Sequence, residues 1–409
     1  MRVPRYIVLP AALARIALLP QAPCRARVGR AVSLPEPPHS DVWPLCITEN
    51  TKEIGDTVNP LHREVERGKQ FAYPRRASGL GIRETRGNTT MKKALIASTA
   101  LVLTAGVAAA DVTISGYGRT GVIYYENTAA EDAAGVNESQ VVGRLRMNID
   151  AATSTDQGVD FGARFRIQWD QNSDDAGQLN AGKLWVTSNG LTVEVGNVDT
   201  AFDSAALLYA SELGAFDRSF GNSRGAFFAY DADAYDNENY VGIAAKYEIA
   251  GVSVMASYVD PDQSGLNETG LGTSEEFGLS ASYTWNDALE LSAAAVMDGA
   301  GIEDNDQYFV GARYAVMPNA RVGLNWIDNG EVLGLDLGNT VTLYGDYTLA
   351  DGMTNIEAYV ANNSADFNES DNAFGIGVNY DLGGARLGAS IHRDYDELVT
   401  ADMGVRFDF

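Results

Sequence analysis

The chain has 409 residues with 30 Lys/Arg against 55 Asp/Glu, and the imbalance is uneven: residues 111–409 hold 14 basic and 47 acidic side chains, a formal charge of −33. So negative a balance excludes nucleic acid as the natural partner. Both cysteines, Cys24 and Cys46, precede residue 111, so the acidic part can hold neither a disulfide nor a thiolate metal site.

At Met91 the sequence reads MKKALIASTALVLTAGVAAADVTIS: a methionine, two lysines, an apolar run from Ala94, and Ala108 and Ala110 in A-x-A order. This is the layout of a secretory signal peptide over 91–110, with cleavage expected between Ala110 and Asp111. The run is alanine-rich and shorter than the roughly 20 residues of a spanning helix. Signal peptides work from an amino terminus. Residues 1–90, Arg-rich, Pro-punctuated and without periodic patterning, are therefore expected to be a non-native upstream extension lacking order. The rival is a targeting extension on the apolar Tyr6 to Leu19, which Pro10 and Arg15 interrupt.

From Asp111 onward apolar and polar residues alternate, segment after segment. In FGLSASYTW, Phe277, Leu279, Ala281, Tyr283 and Trp285 share one face and Gly278, Ser280, Ser282 and Thr284 the other. Ala320, Val322, Leu324 and Trp326 oppose Arg321, Gly323 and Asn325, and Phe374, Ile376, Val378, Tyr380 and Leu382 oppose Gly375, Gly377, Asn379 and Asp381. A soluble sandwich alternates too, but here the greasy faces carry aromatic residues near their ends: Tyr124, Trp169, Tyr247, Tyr258, Trp285, Tyr314, Trp326, Tyr347 and Tyr380. Membrane barrels place such girdles at both interfaces.

Seven short connections, such as Ser188 to Gly190 and Ala250 to Gly251, alternate with eight long acidic ones, the longest near 199–237. Together they imply about sixteen strands. The chain closes on VTADMGVRFDF, in which Val405, Phe407 and the terminal Phe409 share the greasy row, the expected recognition signal of an outer-membrane barrel assembly machinery. The expected fold of 111–409 is all-β: a transmembrane antiparallel β-barrel, closed because an unpaired edge in hydrocarbon leaves backbone groups without partners.

DVTISGYGRTGVIYY, GRLRMNI, DFGARFRIQW, LTVEVGNVDTAF, YDLGGARLGASI and GVRFDF, in that order, resemble the general porins of Gram-negative bacteria, of the alphaproteobacterial type, across 111–409. The resemblance implies a sixteen-stranded barrel, a homotrimer in outer-membrane lipid and lipopolysaccharide, and a long third loop folded into the lumen. The function it implies is a water-filled channel for passive diffusion of ions and small hydrophilic solutes, with no cofactor. Where the family often has a basic residue, this chain has Asn197.

Parity places Arg119, Arg144, Arg146, Arg164, Arg166 and Lys183 on the polar rows of the first four strands, predicting a cationic wall in one sector of the lumen, partly satisfied by neighbouring carboxylates. Opposite it is expected the segment Asp199 to Glu238, with Asp199, Asp203, Glu212, Asp217, Asp231, Asp233 and Asp236. Acids facing arginines across a narrow gap set up a transverse field that disfavours apolar solutes, and the overall negative balance predicts a modest cation preference. Some of these acids, Asp231, Asp233 and Asp236 above all, are equally readable as solvated loop carboxylates. The run DADAYDNEN could instead hold calcium through oxygen ligands, although it lacks the EF-hand glycine and closing glutamate. Two rival functions remain at this level: a barrel hydrolase using Ser390 and His392 with an acid such as Asp402, and an acidic secreted β-rich surface protein.

Overall fold

The computed structural model describes residues 111–171, 177–214, 223–232, 240–265 and 272–409. The expected extension 1–90, the signal segment with Ala110, and the loop acids Asp217, Asp233 and Asp236 lie outside the described residues.

The strands are β1 (Asp111–Tyr125), β2 (Ser139–Ser154), β3 (Asp160–Asp170), β4 (Gln178–Ser188), β5 (Leu191–Gly196), β6 (Val241–Ile249), β7 (Val252–Asp260), β8 (Glu276–Trp285) and β9 (Leu289–Met297). There follow β10 (Gln307–Met317), β11 (Ala320–Asp328), β12 (Glu331–Val332), β13 (Leu335–Asp336), β14 (Asn339–Thr348), β15 (Thr354–Asn363), β16 (Asn372–Asp381), β17 (Arg386–Arg393) and β18 (Val399–Asp408). All but β12 and β13 form one closed antiparallel barrel of 16 strands, each paired with its sequence neighbour in the barrel and β1 with β18. The soluble sandwich is thereby excluded. Closure runs from Tyr117 opposite Asp408 to Tyr125 opposite Thr400, and Gly116 and Phe409 exchange backbone hydrogen bonds of 2.8 and 2.9 Å. Asp111, the expected first residue after cleavage, is the first residue of β1.

The outward rows are those the alternation singles out: Phe277, Leu279, Tyr283 and Trp285 are exposed, while Ser280 and Glu276 on the other face are buried. The girdle aromatics separate by height. Tyr247, Trp285, Tyr314, Tyr347 and Tyr380 sit near strand ends that lead into short turns, and Tyr124, Trp169, Tyr258 and Trp326 near ends that lead into long loops. Tight turns come from residues that accept positive φ. Asn189 and Gly190 (φ 50° and 82°) join β4 to β5, and Ala250 and Gly251 (50° and 81°) join β6 to β7, the two-residue geometry that matches strand twist.

Long loops carry structure the alternation does not disclose. The first holds a six-residue helix, α1 (Ala129–Ala134), started by a reciprocal capping box between Thr128 and Glu131 and ended at left-handed Gly135. The loop between β11 and β14 holds the β12–β13 hairpin.

Candidate functional site in the lumen

The described residues between β5 and β6, 197–214 and 223–232, run along the inward face of the barrel, and the inward residues they meet depart from the expected polar row. Phe202, Ala205, Leu207 and Leu208 pack against Ala294, Val296, Phe309 and Ile327 of β9 to β11. Val198, Ala201 and Tyr230 pack against Ala244, Met255 and Val259, and Leu213 against Tyr344, Tyr359, Ala361 and Ala373. Apolar residues are stable on a lumen-facing row here because the loop removes them from water.

Polar side chains of the same strands bind the loop's backbone. Asn325 Nδ2 donates to Leu207 O (2.8 Å), Asn329 Nδ2 to Arg224 O and Ala226 O (both 2.8 Å), and Thr342 Oγ1 to Ser223 O (2.5 Å). Ser257 Oγ accepts from Ala201 N, and the fully buried Glu276 Oε2 accepts from Tyr230 N and Ala300 N, each at 2.8 Å. Glu276 thus ties the loop to the wall and to the β9–β10 connection together. These anchors escape sequence reasoning, since an Asn, Ser or Glu on a polar row is what an unoccupied lumen would show as well.

The six predicted basic residues are brought together on β1 to β4. Arg144 pairs with Asp170, Arg164 is bidentate on Asp150 (2.7 and 3.2 Å), and Lys183 reaches Glu194 (3.1 Å). Arg146 and Arg166 donate to the neutral amides of Gln168 (2.5 Å) and Asn148 (3.1 Å). Arg119, Arg146 and Arg406 surround the Tyr117 ring at 6.0, 5.6 and 4.2 Å from its centroid, an arrangement the ring's negative face favours. Arg406 and Tyr117 were not among the predicted wall residues, although period 2 places both on inward rows.

Loop and wall meet at Lys183, whose Nζ is 3.5 Å from Asp199 Oδ2, and at Asn180, which donates to Ala232 O (3.2 Å). Arg164, Arg166, Lys183, Asn197 and Asp199 line one narrow cleft there, with Asn197 buried in it. On the short-turn side Asp199, Ser204 and Ala206 border a cavity of about 600 Å³, with Glu194 and Lys246 on its wall. Asp203 accepts a hydrogen bond from the Tyr209 hydroxyl. Burial lifts the Asp203 carboxyl to about 7 despite that bond, and the charges of Asp231 and Asp199 add to the rise. Glu212 is engaged within the loop instead, paired to Arg224 (2.8 Å), whose guanidinium lies 4.1 Å from the Phe227 ring centroid and 4.7 Å from that of Tyr209.

The pair proposed for hydrolysis does not form a relay. Ser390 Oγ donates directly to Asp402 Oδ1 (3.0 Å), and the loop covers them: a Cβ at Gly214 (φ +93°) would lie 2.5 Å from Asp402 Oδ2 and 3.0 Å from Ser390 Oγ. Val405 and Phe407 lie on the outward row of β18 and the exposed Phe409 follows its end, with the two rings 6.3 Å apart. The acidic run considered for calcium lies mostly outside the described residues, and among the described residues no group of three or more His, Cys, Asp or Glu is placed to hold a metal ion.

A family model described as Gram-negative porin matches residues 97–397. A porin of Fuscovulum blasticum is 45% identical over 305 residues, covering 73% of this chain and all of that protein. Solved structures of Rhodopseudomonas blastica porin variants superpose with a TM-score of 0.65 at 42% identity, again over 73% of this chain and the whole of theirs.

Proposed function

The chain belongs to the Gram-negative porin family and forms a channel through the bacterial outer membrane, and from that premise we propose that solutes pass it unaltered, sorted by the field between the basic wall and the inward loop. The observation that carries this is the meeting of Arg164, Arg166 and Lys183 with Asp199 in one cleft. Ions and small hydrophilic molecules keep their hydration partners there, whereas an apolar solute must shed ordered water without replacement. The barrel works as a homotrimer in lipid and lipopolysaccharide, and Val405, Phe407 and Phe409 are what its assembly machinery reads.

Single-channel recording in planar bilayers tests the pore, and reversal potentials in a salt gradient test the field. A modest cation preference is expected, because the carboxylates of 111–409 outnumber the guanidiniums. A unit charge acts on an ion about 4 Å away in water with about 1 kcal/mol. Reversing Arg146 and Arg166 to Glu, a change of four unit charges, should therefore raise cation over anion permeability by at least about fivefold at low salt, and less in 1 M salt. Clear anion selectivity of the unaltered protein would overturn the assignment.

The raised Asp203 carboxyl makes selectivity pH-dependent. Protonation as pH falls through about 7 removes a negative charge from the loop, so the cation preference should weaken between pH 8 and 5. In Asp203→Asn that step should vanish while the remaining preference persists; an unchanged titration would assign it to other groups.

A further inference from the structure

Beneath the loop, toward the short-turn end of the barrel, three guanidiniums outside the basic wall converge on one small pocket: Arg313, Arg321 and Arg386 of β10, β11 and β17. Loop residues 209–214 border it, and its volume is about 210 Å³. Two of the guanidiniums are held in place, Arg313 bidentate on Glu290 (3.1 and 2.6 Å) and Arg321 on Asp346 (2.9 Å). A carboxylate takes at most two of an arginine's five N–H groups in such a pair, so donors remain for something else.

Two hydroxyls point to a guest. Tyr344 is 6% exposed and Ser211 2%, both border the pocket, and neither hydroxyl has a hydrogen-bond partner among the described residues. Buried hydroxyls are strongly unfavourable when unmet, so two at one pocket mark where a bound molecule supplies the missing bonds. The site is also built by sequence. The Tyr344 ring occupies the space over Gly323, where any Cβ would collide with its Cζ.

Charge decides what kind of guest fits. Asp346, Glu357 and Glu212 border the same pocket, so carboxylates match guanidiniums in number. A simple ion of either sign meets as much repulsion as attraction, whereas a solute bearing both charges can turn each toward its opposite. The volume lies below the roughly 300–1,000 Å³ of sites that take drug-sized ligands, which restricts the guest to a few heavy atoms.

We propose that this pocket is a subsite for small zwitterionic solutes of the α-amino acid class, their carboxylate directed at the guanidiniums and the two hydroxyls, their ammonium at the opposing carboxylates. The subsite rests on the pore assignment and slows such a solute beside its path.

The test records open-channel current in a constant potassium chloride background while L-serine, propionate, inorganic phosphate or ethylammonium is added. L-serine should reduce the current saturably, and the three singly functional ions should not. Tyr344→Phe, which keeps the ring over Gly323, should weaken the apparent affinity about threefold to tenfold, and Ser211→Ala should do likewise. Tyr314→Phe on the lipid face should leave it unchanged. An unsaturable response, equal inhibition by propionate, phosphate or ethylammonium, or full affinity in both hydroxyl variants would overturn the subsite. Failure of the protein to conduct potassium chloride at all would overturn the pore, and the subsite with it.

Discussion

Phe202→Ala protein should still fold as a barrel but conduct more than the unaltered protein, with irregular current steps, when single channels are recorded. Phe202 is fully buried, packed among Val296, Phe309 and Ile327 and edge-on to Phe227 at 5.8 Å between ring centroids. Truncating such a side chain costs about 3–5 kcal/mol. The loss falls on the loop, because none of the strand-to-strand ladder passes through residue 202. Other anchors continue to hold, so the loop is expected to sample displaced positions rather than leave the lumen. Glu276→Ala attacks the same attachment from the polar side, leaving the amides of Tyr230 and Ala300 without their acceptor. Each buried amide so orphaned costs about 1–3 kcal/mol. Glu276→Gln keeps an oxygen acceptor and should behave more nearly as the unaltered channel. Current traces indistinguishable from the parent's in both Phe202→Ala and Glu276→Ala would mean that the loop does not set the width of the path.

The barrel itself was legible in the sequence because two strong constraints act on every strand. A lipid-facing side chain must be apolar and its neighbour faces water, so period 2 carries the fold. Aromatic positions and alternating connection lengths then orient it, and Tyr247, Trp285 and Tyr314 at one rim against Trp169 and Trp326 at the other show how far that goes. Period 2 reports which way a side chain points and nothing about what covers it. Phe309, Ile327 and Tyr344 point inward as parity demands, yet they are buried because a loop distant in sequence lies on them. The same blindness affects the acids. Asp199 and Glu212 are alike in sequence, but one faces Lys183 across the cleft and the other is buried against Arg224. Arg224 escapes sequence reasoning altogether, since an arginine in an acidic loop resembles a solvated charge until Phe227 and Tyr209 are seen around it.

Ala281 and Ser282 are adjacent in the middle of β8, and arginine should be rejected at the first and accepted at the second. Ala281 is on the outward row between Leu279 and Tyr283, about halfway between the aromatic rims, where a guanidinium meets hydrocarbon. Arginine on the lipid face of a membrane barrel costs about 2–4 kcal/mol at the midplane, because neither water nor a counter-charge is within reach. Ser282 borders the lumen cavity of about 600 Å³, which also exposes Glu194, Glu248 and Asp199. There the new charge stays hydrated and finds opposite charges, so the effect on stability should be small beside that at Ala281, about 1 kcal/mol for the hydroxyl bond to Ser292 that is lost. Urea midpoints of the protein refolded into lipid vesicles measure both. Ala281→Arg should lower the midpoint or prevent insertion, and Ser282→Arg should lower it much less while moving the reversal potential toward anions. Equal destabilisation at the two positions would mean that the two faces of the strand see one environment, which a lipid-embedded barrel with a wet lumen does not permit.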